Sequence, residues 1–315
     1  MTILASPLTN GPSCRQIDVV SLAGGSAASA ESETQDRSTG RSQIPMPVST
    51  YLVVALGAVV AGFVQGLSGF AFGLTALSIW AWVIDPQLAA VLAVSGAFTG
   101  QVIAAVSVRR GFEPGRLAPF ILGGLAGIPL GVLLLPRLDA DWFKMLLGLL
   151  LVVWCPTMLL ARNLPRITAG GRLADAAVGL GGGMMGGLGG FTGVLPTLWC
   201  TLRRYERDVQ RSVIQNFNLA MLSVTLATYL AAGLFTRATL PMLAVILPAM
   251  LVPTLLGTRI YLGIGEVAFR RLVLGLLTVS GLALVSASAP RLLQRAGRPI
   301  STAFVGEHPV DSAGR

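Results

Sequence analysis

Eight stretches of the sequence contain no Asp, Glu, Lys or Arg: 48–84, 86–108, 117–136, 145–161, 176–202, 212–236, 238–258 and 272–290. A helix needs about 20 apolar residues to cross the hydrocarbon core of a bilayer. Lipid offers backbone N–H and C=O groups no partners, so a spanning segment must satisfy its own, and a helix does so. The expected fold class is an all-α polytopic membrane protein. Six of the runs fit one crossing each. The other two, 48–84 and 176–202, are too long, and each contains a glycine-rich break: GFVQGLSGFAFG at 62–73 and GGGMMGGLGGFTG at 181–193.

The two breaks are related. GLSGF begins at residue 66 and GLGGF at residue 187, an offset of 121. The loops that follow also match, with Asp85-Pro86 facing Glu206-Arg207, and WFKMLLGLL at 142–150 resembles FRRLVLGLL at 269–277. The chain therefore reads as two homologous halves, 48–162 and 173–290, each with a Gly-broken segment and then three ordinary spans.

Counting basic residues tests how the broken segments run. If each is a hairpin, whether re-entrant or two short spans, one side of the membrane holds the loops 109–116, 162–175, 203–211 and 259–271, with thirteen Arg, and the other holds only Arg137, Lys144 and Arg237. If each is one bent span, the loops divide 7 against 9. The positive-inside rule favours the hairpin and makes the thirteen-charge side cytoplasmic. The second half then enters from the side opposite the first, which is an inverted repeat, a plan common among secondary transporters.

Non-helical backbone is tolerated at membrane depth only inside protein or along a water-filled cavity. A break exposes the N–H groups of the helix that follows, and a helix N-terminus attracts anions. The competing reading is packing, because GxxxG spacing such as Gly62 to Gly66 and Gly183 to Gly187 lets membrane helices approach closely. Recurrence at equal places in two halves favours a site.

Polar residues within the spans point the same way. Gln65 and Ser68 lie in the first break and Thr192 beside the second, while SVIQNFNLA places Gln215, Asn216 and Asn218 in an apolar run. The offset sets Asn216 opposite Ser95. Ser95, Thr99 and Thr192 can bond the carbonyls of their own helix, but an amide cannot be satisfied so locally. Gln101 is expected near an interface. Asp85 and Asp175 border charge-free runs and are expected as solvated loop ends.

Composition excludes several classes. Charged residues make up 12% of the chain, half of what a soluble domain carries. Nearly all the net charge of +9 is Arg between apolar runs, as loops of an inner-membrane protein have it, so no nucleic-acid partner is expected. The three cysteines show no metal or disulfide spacing, the single His308 lies in the C-terminal tail, and no HExxH, CxxC or Walker loop occurs. Neither an enzyme nor a cofactor is expected.

With the duplicated breaks GxxxGLSGF and GxxxGLGGF and the later span element GIPLG at 127–131, the chain resembles the TauE/SafE family of sulfite-exporter-like permeases over about 48–290. The resemblance implies a permease for small anions, often sulfur-containing: sulfite, sulfonates or related organic acids. Gly66, Ser68, Gly69 and Phe70, with Gly187, Gly189, Gly190 and Phe191, occupy the family's glycine-rich positions. The anion is expected between the breaks, on backbone N–H groups after Gly69 and Gly190, with Gln65 and Asn216 as neutral donors. Ser95, Thr192 and Gln215 complete the candidate set.

Residues 1–45 are read as a disordered tail, since they lack the apolar core of a signal peptide, and Met46 is an alternative start. Residues 291–315 form a polar C-terminal tail. The expected location is the bacterial inner membrane, with the lipid bilayer as partner and proton or ion coupling left open. The alternative function is a non-transporting scaffold or assembly factor whose glycines serve packing alone.

Overall fold

The computed structural model describes residues 47–107, 111–160, 167, 170–260 and 266–296. The expected tail 1–45, the start at Met46 and the end of the chain beyond residue 296 lie outside the described residues. Among those described there is no strand. The elements are α1 (Val48–Ser68), α2 (Phe72–Trp80), α3 (Pro86–Ser107), α4 (Pro114–Leu134) with a 3-10 turn (Leu135–Arg137), α5 (Ala140–Leu160), α6 (Gly171–Gly189), α7 (Val194–Leu202), α8 (Arg207–Ala231), α9 (Thr239–Ile260) and α10 (Glu266–Ala296). Seven are long and apolar enough to cross a membrane: α1, α3, α4, α5, α8, α9 and α10. α6 has 19 residues, but they are too glycine-rich to join that set.

The order repeats. A long helix, a nine-residue helix and three long helices occur twice, α1–α5 and α6–α10. Local chemistry explains several boundaries. Asp85 Oδ1 accepts the N–H of Gln87 at 2.8 Å, capping α3 behind Pro86, and Pro114 opens α4 at a position where a missing N–H costs nothing. α1 and α6 both end at a glycine in the left-handed region, Gly69 (φ 80) and Gly190 (φ 79).

Each short helix folds back along the long one before it. Gln65, near the end of α1, accepts the N–H of Phe72 at the start of α2, while the Trp80 indole at the end of α2 donates to the carbonyl of Val54, about three turns earlier on α1. In the second half the indole of Trp199 on α7 reaches Asp175, in the first turns of α6. The broken segments are thus hairpins of one long and one short arm.

The most extensive packing exchanges partners between halves: α1 lies on α9, α4 on α6 and α5 on α10. At one end of the helices, Arg291 and Arg295 of α10 pair with Asp139 and Asp141, and the Lys144 ammonium sits 5.5 Å over the Trp82 ring. At the other end Arg116 sits 5.3 Å over the Tyr205 ring, and Ser212 donates to the Gly111 carbonyl at 2.6 Å. α10 runs on to Ala296 through Pro290, so the expected tail at 291 begins as helix, held by those ion pairs.

Candidate functional site

The hairpin tips are built alike. The Gly69 N–H donates to the Gln65 carbonyl at 2.7 Å and the Gly190 N–H to the Gly186 carbonyl at 2.8 Å. At both positions positive φ demands glycine, because a Cβ would crowd the backbone. Just before Gly69, the Ser68 hydroxyl donates to the Val64 carbonyl at 2.8 Å and accepts the Ala71 N–H at 3.2 Å. The Gln65 Oε1 accepts the Phe72 N–H at 3.0 Å. The first turn of α2 therefore meets side-chain oxygens of α1.

The two tips touch. A Cβ added to Gly73 would lie 2.8 Å from the carbonyl oxygen of Gly189 and 3.2 Å from that of Gly190. A Cβ on Gly193 would lie 2.9 Å from Asn218 Nδ2 and 3.0 Å from Phe70 Cδ2. Phe70 in turn packs edge-on against Trp154, with centroids 6.0 Å apart.

The other candidate residues divide. Gly66 and Gly187 lie in helix contacts: a Cβ on Gly66 would lie 2.9 Å from Gly257 Cα of α9, and one on Gly187 would lie 3.0 Å from Gly131 Cα of α4. Gly189 is hemmed in by Leu77 and Phe191, and Phe191 is buried. Ser95 donates to the Val91 carbonyl and Thr99 to the Ser95 carbonyl, so both are satisfied within α3. Gln215 is buried with its amide beside Gly69. Asn216 points elsewhere: its Nδ2 donates to the Gly111 carbonyl at 3.0 Å and to Ser212 Oγ at 3.4 Å. It ties the α3–α4 connection to α8 and does not join the tips.

Two residues outside the candidate set do join them. Asn218, 1% exposed, accepts the Thr192 hydroxyl on Oδ1 at 2.9 Å, and its Nδ2 has no partner. Gln101 is fully buried and donates to the Gly69 carbonyl. The sequence signal for Asn218 is its spacing from Gln215, since residues three apart share a helix face.

The described tip residues include no charged side chain. The nearest buried charge to α7 is Asp175, which is not a solvated loop end: its Oδ1 takes the Trp199 indole at 2.7 Å and pairs with Arg203 at 3.2 Å. In the connection after α7, burial and the Asp175 carboxylate push the Tyr205 phenol above its ordinary range, against a smaller pull from Arg203 and Arg116. Among the described residues no cluster of three His, Cys, Asp or Glu could hold a metal.

Comparison with known proteins agrees with this architecture. The model of the family described as sulfite exporter TauE/SafE matches residues 54–284, from α1 into α10 and across both hairpins. No curated protein matches the chain, and no solved structure does. With seven helices able to cross a bilayer and a family match over most of its length, the chain belongs to the TauE/SafE sulfite exporter family, whose members are membrane transporters and not enzymes.

Proposed function

We propose that the chain is a secondary transporter of a small anion, sulfite or an organic sulfonate, bound where the two hairpin tips cross. The observation that carries this reading is the contact between the tips. Two glycine turns from opposite halves meet, Gly190 buried and Gly69 half-buried, and two buried amide donors, Gln65 Nε2 and Asn218 Nδ2, stand beside them without protein partners. A buried donor without a partner costs stability, so its retention is explained by a ligand that takes its hydrogen bond. Neutral donors and helix N-termini, each worth about half a charge, attract an anion without trapping it as a fixed cation would.

The halves are proposed to be inverted repeats. Support comes from the hairpins: α2 returns to the end where α1 starts, so α3, α4 and α5 leave the chain at the far end, where α6 begins. The parallel contacts of α1 with α9 and of α4 with α6 agree. The end carrying 111–116 and 203–212 is proposed as cytoplasmic, and the membrane as the bacterial inner membrane, on the Arg bias of the loops. Coupling would draw on a proton or ion gradient.

The test is flux of sulfite, taurine and chloride into proteoliposomes holding the purified full chain. Saturable movement of sulfite or taurine above empty vesicles is the expected result. No movement of any of them would favour a scaffold with packing glycines.

A further inference from the structure

The tips share one geometry but not one chemistry. The repeat offset pairs Gly69 with Gly190, Gln215 with Val94 and Gln101 with Leu222. Around Gly69 these equivalent positions are amides. Gln101 Nε2 donates to the Gly69 carbonyl, and Gln215 Nε2 would lie 3.6 Å from a Cβ on Gly69. Around Gly190 they are aliphatic: a Cβ there would lie 3.3 Å from Val94 Cγ2 and 3.6 Å from Leu222 Cδ2.

A further donor belongs to the amide side. Gln65 is 2% exposed and aimed at the N-terminus of α2, where its Oε1 holds the Phe72 N–H, and its Nε2 has no partner. On α8 the buried polar face reads Ser212, Gln215, Asn218, then Leu222, with polarity resuming at Thr225. Leu222 interrupts it where α8 meets the Gly190 tip.

We infer that the anion is bound on the Gly69 side of the crossing, and that Val94 and Leu222 form a dry seal beside it against the Gly190 turn. This deepens the transport reading and rests on it. An anion gains nothing from aliphatic walls and pays heavily for desolvation against them. On the other tip, Gln65 Nε2 is a buried donor without a protein partner, and Gln215 Nε2 lies beside the turn, neither carrying a fixed charge. Such a site takes a compact oxyanion with several acceptor oxygens, the head of a sulfite or sulfonate. The two halves have therefore diverged, one into ligand and the other into barrier.

The experiment uses sulfite as the probe, with the purified full chain for calorimetric binding and proteoliposomes for flux. Gln65→Glu keeps the oxygen that caps Phe72 and replaces the donor with an acceptor. Sulfite binding should fall tenfold or more in protein that still shows a cooperative melting transition. Gln215→Met is the second variant and should weaken binding severalfold. Leu222→Gln should leave binding within twofold but turn saturable sulfite flux into a non-saturating leak. Unchanged affinity in both Gln65→Glu and Gln215→Met overturns the inference while leaving transport intact, and so does saturable flux in Leu222→Gln. Absence of both binding and flux in the unaltered chain overturns the inference together with the transport reading.

Discussion

The Trp199 indole and the Arg203 guanidinium converge on one oxygen of Asp175, at 2.7 Å and 3.2 Å. The Arg203 side chain is 14% exposed and that of Asp175 9%, so this pair closes the open end of the second hairpin largely out of water. Asp175→Asn keeps an acceptor for the indole, whereas Asp175→Leu strands a shielded Arg. The expected losses are about 1 kcal/mol for Asn and about 3 kcal/mol for Leu. Thermal unfolding in detergent should rank the two in that order.

The glycines of the second hairpin should separate by role. Gly187→Ala would set a methyl 2.6 Å from the Ile128 carbonyl oxygen of α4, where backbone cannot yield, at a cost of about 3 kcal/mol. Gly190→Ala meets side chains from 3.3 Å and carries mainly the left-handed penalty of about 1–2 kcal/mol. Abundance in the membrane should fall for Gly187→Ala. Gly190→Val should reach the membrane yet lose transport, and normal flux in that variant would show that the Gly190 turn takes no part in the crossing.

The two asparagines of α8 should part in the same assay. Asn216→Leu removes hydrogen bonds to the Gly111 carbonyl and Ser212, a loss on the order of 1 kcal/mol in stability, with flux per folded molecule unchanged. Asn218→Leu removes a buried donor at the tips and should cut flux severalfold. Equal flux in both variants would show that Asn218 serves packing only.

Single cysteines placed in 203–211 and in 137–144, in a chain without its own three, should label from opposite faces of the membrane with an impermeant reagent. The former is expected from the cytoplasm. Labelling of both from one face would end the hairpin topology.

Tyr205 should register in the alkaline limb of stability. Its phenol is raised by burial first and then by the Asp175 carboxylate, so the folded state favours the neutral form. That contribution is intact below the unfolded value near pH 10 and is lost as pH rises through the folded value. Tyr205→Phe should flatten the fall in melting temperature above about pH 10, while leaving neutral stability little changed.

Which parts of this were legible in the sequence follows from what each residue needs. Gly69 and Gly190 were readable as turns because a charge-free run too long for one crossing must bend, and glycine marks where. The hairpin sense was readable from Arg in the loops, since charge bias is a property of sides and needs no side-chain geometry. Asn216 against Asn218 was not. Two residues along a helix turn the side chain by about 200°, and nothing local says which of the two faces inward. Gly66 and Gly187 were ambiguous for a different reason: the spacing that opens a site also lets helices pack, and the partners Gly257 and Gly131 are far away in sequence. Asp175 was misread because its closing partners, Trp199 and Arg203, arrive from the far arm of a hairpin.

The exchange of partners, α1 on α9 and α6 on α4, bears on how the chain is made. During synthesis α1 and its short return arm enter the membrane long before α9 exists, so their glycine faces wait uncovered until the ribosome has nearly finished. Each half would leave its partner's helix faces bare, and the chain should be most exposed to quality-control proteases while it is still nascent. A product truncated before α9 would keep the first hairpin yet lack the surface that closes it.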